Sequence, residues 1–337
     1  QMEDMGGAYN MAACQRVRGE FDVAVLNRCL AFLAARHESL RTTFHLVNEQ
    51  PVQIVHESLL CEVDYEVMEE LSDPQAIALA FMRQPFDLTT GPLLRVKLIQ
   101  TAPREQILMV SIHHIISDGW SLGLLTQEMM SIYPALAQGH DPHLHELPVQ
   151  VADFAQWQRE LLQGEYLQTQ LGYWRSQLSD APAQLNLPSA RPRPSEQTFV
   201  GSTLSAALPA ELSQKINRFS QQSGVSLYMT LLAAFGILLH RYSAQEEVLI
   251  GSPIVNRNHP QTQGLIGLFL NTLVLRLNCD SNPSFADFVQ QVKDTAIDAY
   301  AHQDTPFEQL LEILPSDRQQ NTSPWFQVMF ILQNNKE

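Results

Sequence analysis

SIHHIISDGWS, residues Ser111–Ser121, sets two adjacent histidines three residues ahead of an Asp-Gly pair. The residues before it, Gln106 to Ile112, are almost wholly apolar, as in a strand buried on both faces. The residues after it, from about Ser121 to Leu136, read as a helix. Neighbouring side chains on a strand point to opposite faces, so His113 and His114 divide their tasks, one toward the core and the other toward a cleft. Gly119 tolerates positive φ and allows a sharp turn. Ser121 reads as the N-cap of the helix.

An unperturbed histidine titrates near pH 6.5, so at pH 7 it is mostly neutral and can take a proton from an amine or hydroxyl. Asp118 is either its partner carboxylate or an anion locked to an arginine elsewhere. The plain structural alternative is a satisfied histidine pair at a strand end. Metal binding is disfavoured, because adjacent strand histidines diverge and no second ligand cluster is present. A Ser-His-Asp hydrolase is disfavoured too, for want of a GxSxG elbow.

Working outward, Asp22 caps a helix that places Val25, Leu26, Cys29, Leu30 and Leu33 on one face and ends near Arg36-His37. Arg41–Val47 and Val52–His56 read as short strands joined by a turn. A helix over Asp73–Arg83 stops before Pro85. Strands are expected at Leu94–Gln100 and Gln106–Ile112, and more helix over Val151–Leu178. Ala181–Gln197 carries four prolines among Ser and Arg and reads as a linker. Beyond it come a strand near Thr198–Leu208, helices at Ala210–Gln222 and Leu227–Tyr242, and strands at Glu247–Val255 and Leu270–Leu277. Helices at Ser284–His302 and Pro306–Leu314 follow, then a strand at Phe326–Leu332. The alternation on both sides of the linker predicts two similar α/β lobes, 1–178 and 198–337, joined through 179–197, with a ligand site between them.

The length of 337 residues suits two such lobes. A net charge of −15 makes nucleic acid a poor partner, since phosphate binding wants concentrated Lys and Arg. The longest apolar run, Val225–Leu239, is too short and mixed for a membrane span and reads as a buried helix. Cys14, Cys29, Cys61 and Cys279 are widely spaced and read as free thiols of a reducing cytoplasm. The chain shows no signal peptide and reads as a fragment cut at both ends.

HHIISDG resembles the HHxxxDG motif of the condensation domains of nonribosomal peptide synthetases, within the chloramphenicol-acetyltransferase-like acyltransferases. RHESLRTTF (Arg36–Phe44) resembles the family's second motif. VADFAQW (Val151–Trp157) resembles the fourth, with Val151 where tyrosine is usual. IGLFLNTLVLR (Ile266–Arg276) and HQDTPFE (His302–Glu308) resemble the fifth and sixth. In DRQQNTSPWFQVMF (Asp317–Phe330) the seventh is degraded: Arg318 and Pro324 fit, Thr322 and Trp325 do not. The first motif would lie upstream of Gln1, and the family's domain continues past Glu337, so the second lobe is expected to be incomplete.

The resemblance implies two lobes forming a V with the active site in a tunnel between them, and peptide-bond formation there. A donor aminoacyl or peptidyl thioester on an upstream carrier domain is attacked by the amine of an acceptor on a downstream carrier, next to an adenylation domain. Each substrate hangs on a 4'-phosphopantetheine arm supplied by its carrier; no bound cofactor, metal, nucleic acid or membrane is implied. His114, the second histidine, is the implied catalytic residue. His113 and Asp118 are structural, Asp118 pairing with an arginine of the second lobe, for which Arg257 is the candidate. The Gly119 amide could face the oxyanion. Asn271, Trp174 and Ser121 are possible tunnel residues, whereas Arg36 and Arg41 read as structural and His302-Gln303-Asp304 as a turn. Arg16, Arg18, Arg28 and Arg36 could form a basic dock. The second and fifth motifs favour condensation over epimerisation, and RHESLRTTF with HHIISDGWS resembles the L-donor/L-acceptor subtype; a carrier-recruiting module without catalysis is the alternative outside enzymes.

Overall fold

The computed structural model describes residues 7–68, 73–189, 201–280, 282–313 and 324–333. They divide into two compact units, Gln1–Gln158 with Arg257–Phe269, and Arg159–Asn256 with Leu270–Glu337.

The first unit is built on a sheet of four strands. Their ranges are β1 (Asn10–Arg18), β4 (Val63–Val67), β5 (Leu94–Ala102) and β6 (Glu105–His113), in the order β1-β6-β5-β4. The apolar β6 lies antiparallel between β1 and β5, and β5 pairs in parallel with β4. A separate hairpin joins β2 (Thr42–Val47) to β3 (Gln50–Val55). Leu94, Val96, Leu98 and Ile112 fill one core with α1 (Val23–Arg36) and α3 (Gly119–Ala137), whose Leu26, Cys29, Leu33, Leu125 and Ile132 are buried. Ile99, Ile107 and Met109, on alternate positions and therefore on the other face, pack with Ile77 and Phe81 of α2 (Pro74–Arg83). Asp22 caps α1 and Asp73 caps α2, each accepting from two backbone amides. Sequence patterning located the α-helices and strands of this unit except β1 and β4, and none of its 3-10 helices.

The second unit contains α5 (Gly164–Leu178), α6 (Ala210–Gln222), α7 (Leu227–Ser243), α8 (Phe285–Ala301) and α9 (Phe307–Ile313) around the antiparallel pair β7 (Glu247–Ile254) and β8 (Asn271–Asn278). Its core is formed by Trp174, Leu232, Val248, Ile250, Leu273, Leu275, Phe288, Val292 and Phe326. The helix expected over Val151–Leu178 is two helices, α4 (Val151–Leu161) and α5.

Five expectations meet a different structure. The helix α5, expected in the first lobe, lies in the second unit, because Leu171, Trp174 and Leu178 are buried in its core. Residues 257–269, expected in the second lobe, lie in the first unit, where Ile266 joins the core. The start of the expected linker is packed: Leu185 is buried and its N–H donates to Gln327 Oε1, while residues 190–197 lie outside the described residues. Of the strand expected near Thr198–Leu208, residues 201–208 are exposed and unpaired, Leu204 being 96% exposed; 198–200 are outside the described residues. Of the strand at Phe326–Leu332, only a parallel bridge from Met329 to Gly251 forms.

Candidate active site

The histidines stand where β6 ends. His113 is its last residue and His114 opens a one-turn 3-10 helix, His114–Ile116, that leads to α3. On its strand, His113 shares the face of Met109, and its ring lies against Phe86 and Tyr9. Its Nδ1 accepts the N–H of Ile115 at 3.1 Å, which puts the proton of the neutral ring on Nε2. Burial lowers the pKa of His113 below its usual value, and the charge of His114 lowers it further.

The backbone of His114 is committed: its N–H donates to Tyr9 O at 2.9 Å, and its C=O accepts from Ser117 N at 3.2 Å. Its half-buried imidazole makes no hydrogen bond to the described residues.

Asp118, not Ser121, is the N-cap of α3. Its Oδ1 accepts from Ser121 N at 2.8 Å and lies 2.7 Å from Ser121 Oγ. Both its oxygens take Nη2 of Arg257, at 3.1 and 3.2 Å, and Oδ2 also accepts the N–H of Phe269. Asp118 is 1% and Arg257 6% exposed. Such a pair persists in low dielectric only when further hydrogen bonds satisfy both partners. Arg257 supplies them: Nη1 donates to the carbonyls of Thr262 and Leu265, Nη2 also reaches Ser121 Oγ and Gly267 O, and the guanidinium lies 4.0 Å over the Phe269 ring. Burial lowers the pKa of Arg257, against the opposing pull of Asp118.

Ser121 is a buried hub rather than a cap or a residue lining open space. It is fully buried, accepts the N–H of Gly267 at 3.0 Å, and lies 2.9 Å from Gly267 O. Gly119 also departs from expectation. It is the first residue of α3 and has no positive φ. A Cβ there would meet nothing within 4 Å, so neither backbone nor packing demands glycine; the space before it is open. As the leading helical residue, its N–H lies among those that intrahelical bonding leaves free.

Trp174 and Asn271 are buried in the second unit. Trp174 is fully buried and its indole donates to His302 O at 2.9 Å. Asn271 has all its polar atoms engaged. Its Nδ2 donates to the carbonyls of Gln303 and Thr305, and Oδ1 accepts from Thr272 N and Phe307 N. It thereby ties the start of β8 to the His302-Gln303-Asp304 turn.

Arg36 pairs with Glu128 at 3.1 Å, and Arg28 donates to Leu136 O, so two members of the expected basic dock are engaged inside the first unit. Arg41 is likewise structural, donating to His56 O and pairing with Glu38. Sequence reading passed over Glu128, His37 and Ser39. A signal for Glu128 existed: an acid seven residues after Ser121 on one face of an apolar helix needs a buried partner.

Among the described residues no three His, Cys, Asp or Glu side chains converge as a metal site, and no single helix is long and apolar enough to cross a membrane. A separate cavity of about 820 Å³ in the first unit is lined by Cys61, Phe81, Pro85, Arg95 and Lys97 among others. Burial pushes the Cys61 thiol up to about 11, which leaves it protonated and unreactive at neutral pH.

The condensation domain family matches residues 1–337. A linear gramicidin synthase of Brevibacillus parabrevis is 45% identical over 332 residues, covering 97% of this chain and 4% of that protein. Malpibaldin synthetase of Mortierella alpina is 39% identical over 346 residues, covering 99% of this chain and 6% of that one. The chain thus spans a small part of the curated relatives it matches. Among solved structures, the X-domain from teicoplanin biosynthesis superposes with a TM-score of 0.89 at 27% identity, over 97% of this chain and 74% of that one. A four-domain nonribosomal peptide synthetase bound to AMP and glycine superposes with a TM-score of 0.88 at 22% identity, over 99% of this chain and 25% of that one, a likeness of fold.

Proposed function

This chain belongs to the condensation domain family, and on that premise we propose that it joins two carrier-bound substrates by an amide bond. The amine of the acceptor aminoacyl group attacks the thioester carbonyl of the donor. A C–N bond forms, the C–S bond breaks, the amine loses a proton, and the donor's phosphopantetheine leaves as a free thiol. The partners are an upstream donor carrier, a downstream acceptor carrier and a neighbouring adenylation domain of a cytoplasmic synthetase, with L-configured donor and acceptor.

One observation carries the reading. The imidazole of His114 is free of hydrogen bonds to the described residues, while the side chains of His113, Asp118, Ser121 and Arg257 beside it are each engaged. His114 is thus the group left to receive the amine proton, and the locked Asp118 and Arg257 hold the turn that presents it. Tethering on flexible arms supplies high effective concentration, so the base adds to a reaction already favoured by positioning.

The test loads donor and acceptor carriers and follows dipeptide on the acceptor by intact-protein mass spectrometry. His114→Ala in the full-length domain is expected to lower transfer by about 10²–10⁴-fold with the fold intact. Equal transfer by the mutant removes His114 from the chemistry. Carrier binding without transfer by the wild type would identify a recruiting module instead.

A further inference from the structure

Residues 257–269 follow β7 and precede β8, and the backbone at their end has no strand beside it. A peptide buried without a ladder must find other partners. Here they are side chains. The N–H and C=O of Gly267 meet Ser121 Oγ, and the N–H of Phe269 meets Asp118. The C=O of Ile266 accepts from Ser39 Oγ at 2.6 Å, and its N–H donates to His37 Nδ1 at 3.4 Å. His37 and Ser39 stand either side of Glu38 at the end of α1, so one short stretch grips both polar groups of one peptide residue.

The chemistry of His37 is fixed by its two neighbours. Ile266 N is a donor, so Nδ1 must be a bare acceptor and the ring proton must sit on Nε2. Nε2 lies 2.8 Å from Glu128 Oε2, an acceptor for that proton. Arg36 Nε, 3.1 Å from Glu128 Oε1, balances the carboxylate. Burial pushes the Glu128 carboxyl up, but the hydrogen bond from His37 and the charge and hydrogen bond of Arg36 leave it below the usual glutamate value. His37 is 1% exposed. The relay runs Arg36, Glu128, His37, Ile266 and so reaches the peptides that bind Ser121 and Asp118.

We propose that His37 is a positioning residue: oriented by Glu128, it holds the Ile266 peptide and so sets the Gly267 and Phe269 amides against Ser121 and Asp118, the support of the His114 turn. This rests on the amide-forming reading for its kinetic consequence, but not for its structural one.

Two substitutions in the full-length domain separate the halves of the relay. His37→Gln places an amide N–H where Nε2 stood and keeps the bond to Glu128, but offers Ile266 no acceptor. His37→Asn places an oxygen where Nδ1 stood and keeps the bond to Ile266. The expected result is a fall in kcat of about ten- to a hundredfold for His37→Gln with KM little changed, since misplacement of a reacting group by an ångström costs that order. Backbone amide exchange of Ile266, Gly267 and Phe269 should accelerate in step. His37→Asn should restore most of both. Wild-type kcat and exchange in His37→Gln would overturn the proposal. So would equal losses in the two variants, which mark His37 as packing alone. If the wild type transfers nothing between any loaded carriers, the amide-forming reading fails, and exchange at Ile266 still decides whether His37 holds that peptide.

Discussion

Asp118 and Arg257 lie 139 residues apart in the chain and 3.1 Å apart in space. The carboxylate does two jobs at once, capping α3 and neutralising a guanidinium that holds three backbone carbonyls. Removing the cation leaves a buried charge without a partner. Arg257→Met is expected to destabilise the domain by about 3–5 kcal/mol. Asp118→Asn keeps a capping side chain, so Arg257→Met should cost measurably less in that background. Urea denaturation of the single and double variants checks both statements; equal costs would mean the charge pairing carries no weight.

Gly267 is held by close approach. A Cβ on it would lie 2.6 Å from Val151 Cγ2 and 3.0 Å from the Phe269 ring. Gly267→Ala should cost about 1–3 kcal/mol by overpacking. With Val151→Ala the obstruction recedes, so the cost of Gly267→Ala should shrink in the double variant. A purely additive pair of denaturation midpoints would contradict this packing.

Asn271 offers a test of structural against tunnel roles. Asn271→Ala strands the N–H groups of Thr272 and Phe307 and the carbonyls of Gln303 and Thr305. A loss of about 1–3 kcal/mol for each group left dry is the expectation. Activity per folded molecule, measured at a temperature well below the lowered midpoint, should stay close to wild type.

His113 gives the domain a pH dependence of known sign. Burial, and then the charge of His114, hold its folded pKa below 6.5. Between that folded value and about 6.5 the unfolded chain binds more protons, so stability is full above about pH 6.5 and falls as the pH drops through this window. His113→Gln should flatten the change in urea midpoint between about pH 7.5 and pH 5. An unchanged slope would assign it to other groups.

Local patterns were legible where one residue type has one local use. Asp22 and Asp73 announced their helices, and the apolar β6 announced a strand covered on both faces. The strand β1 was missed because Ala12, Ala13 and Cys14 carry no clear alternation; its strand character comes from pairing with β6. The short, charged β4 is likewise a strand by virtue of β5. The cap was misplaced because Asp118 and Ser121 are both good caps, and only the long-range Arg257 and Gly267 decide their roles. Asn271 illustrates the same limit: a polar residue in an apolar strand signals a need for partners, and a hydrogen-bond hub and a tunnel wall satisfy that signal equally.

The partition of residues 257–269 into the first unit bears on how such genes recombine. A single crossover between two relatives, placed anywhere from residue 158 to residue 257, would pair one parent's Asp118, Ser121 and Ser39 with the other parent's segment. Chimaeras that exchange the first unit therefore need two donor pieces, the N-terminal stretch and this short internal cassette. Single-crossover hybrids should survive best between parents that already share the Arg257, Gly267 and Phe269 set.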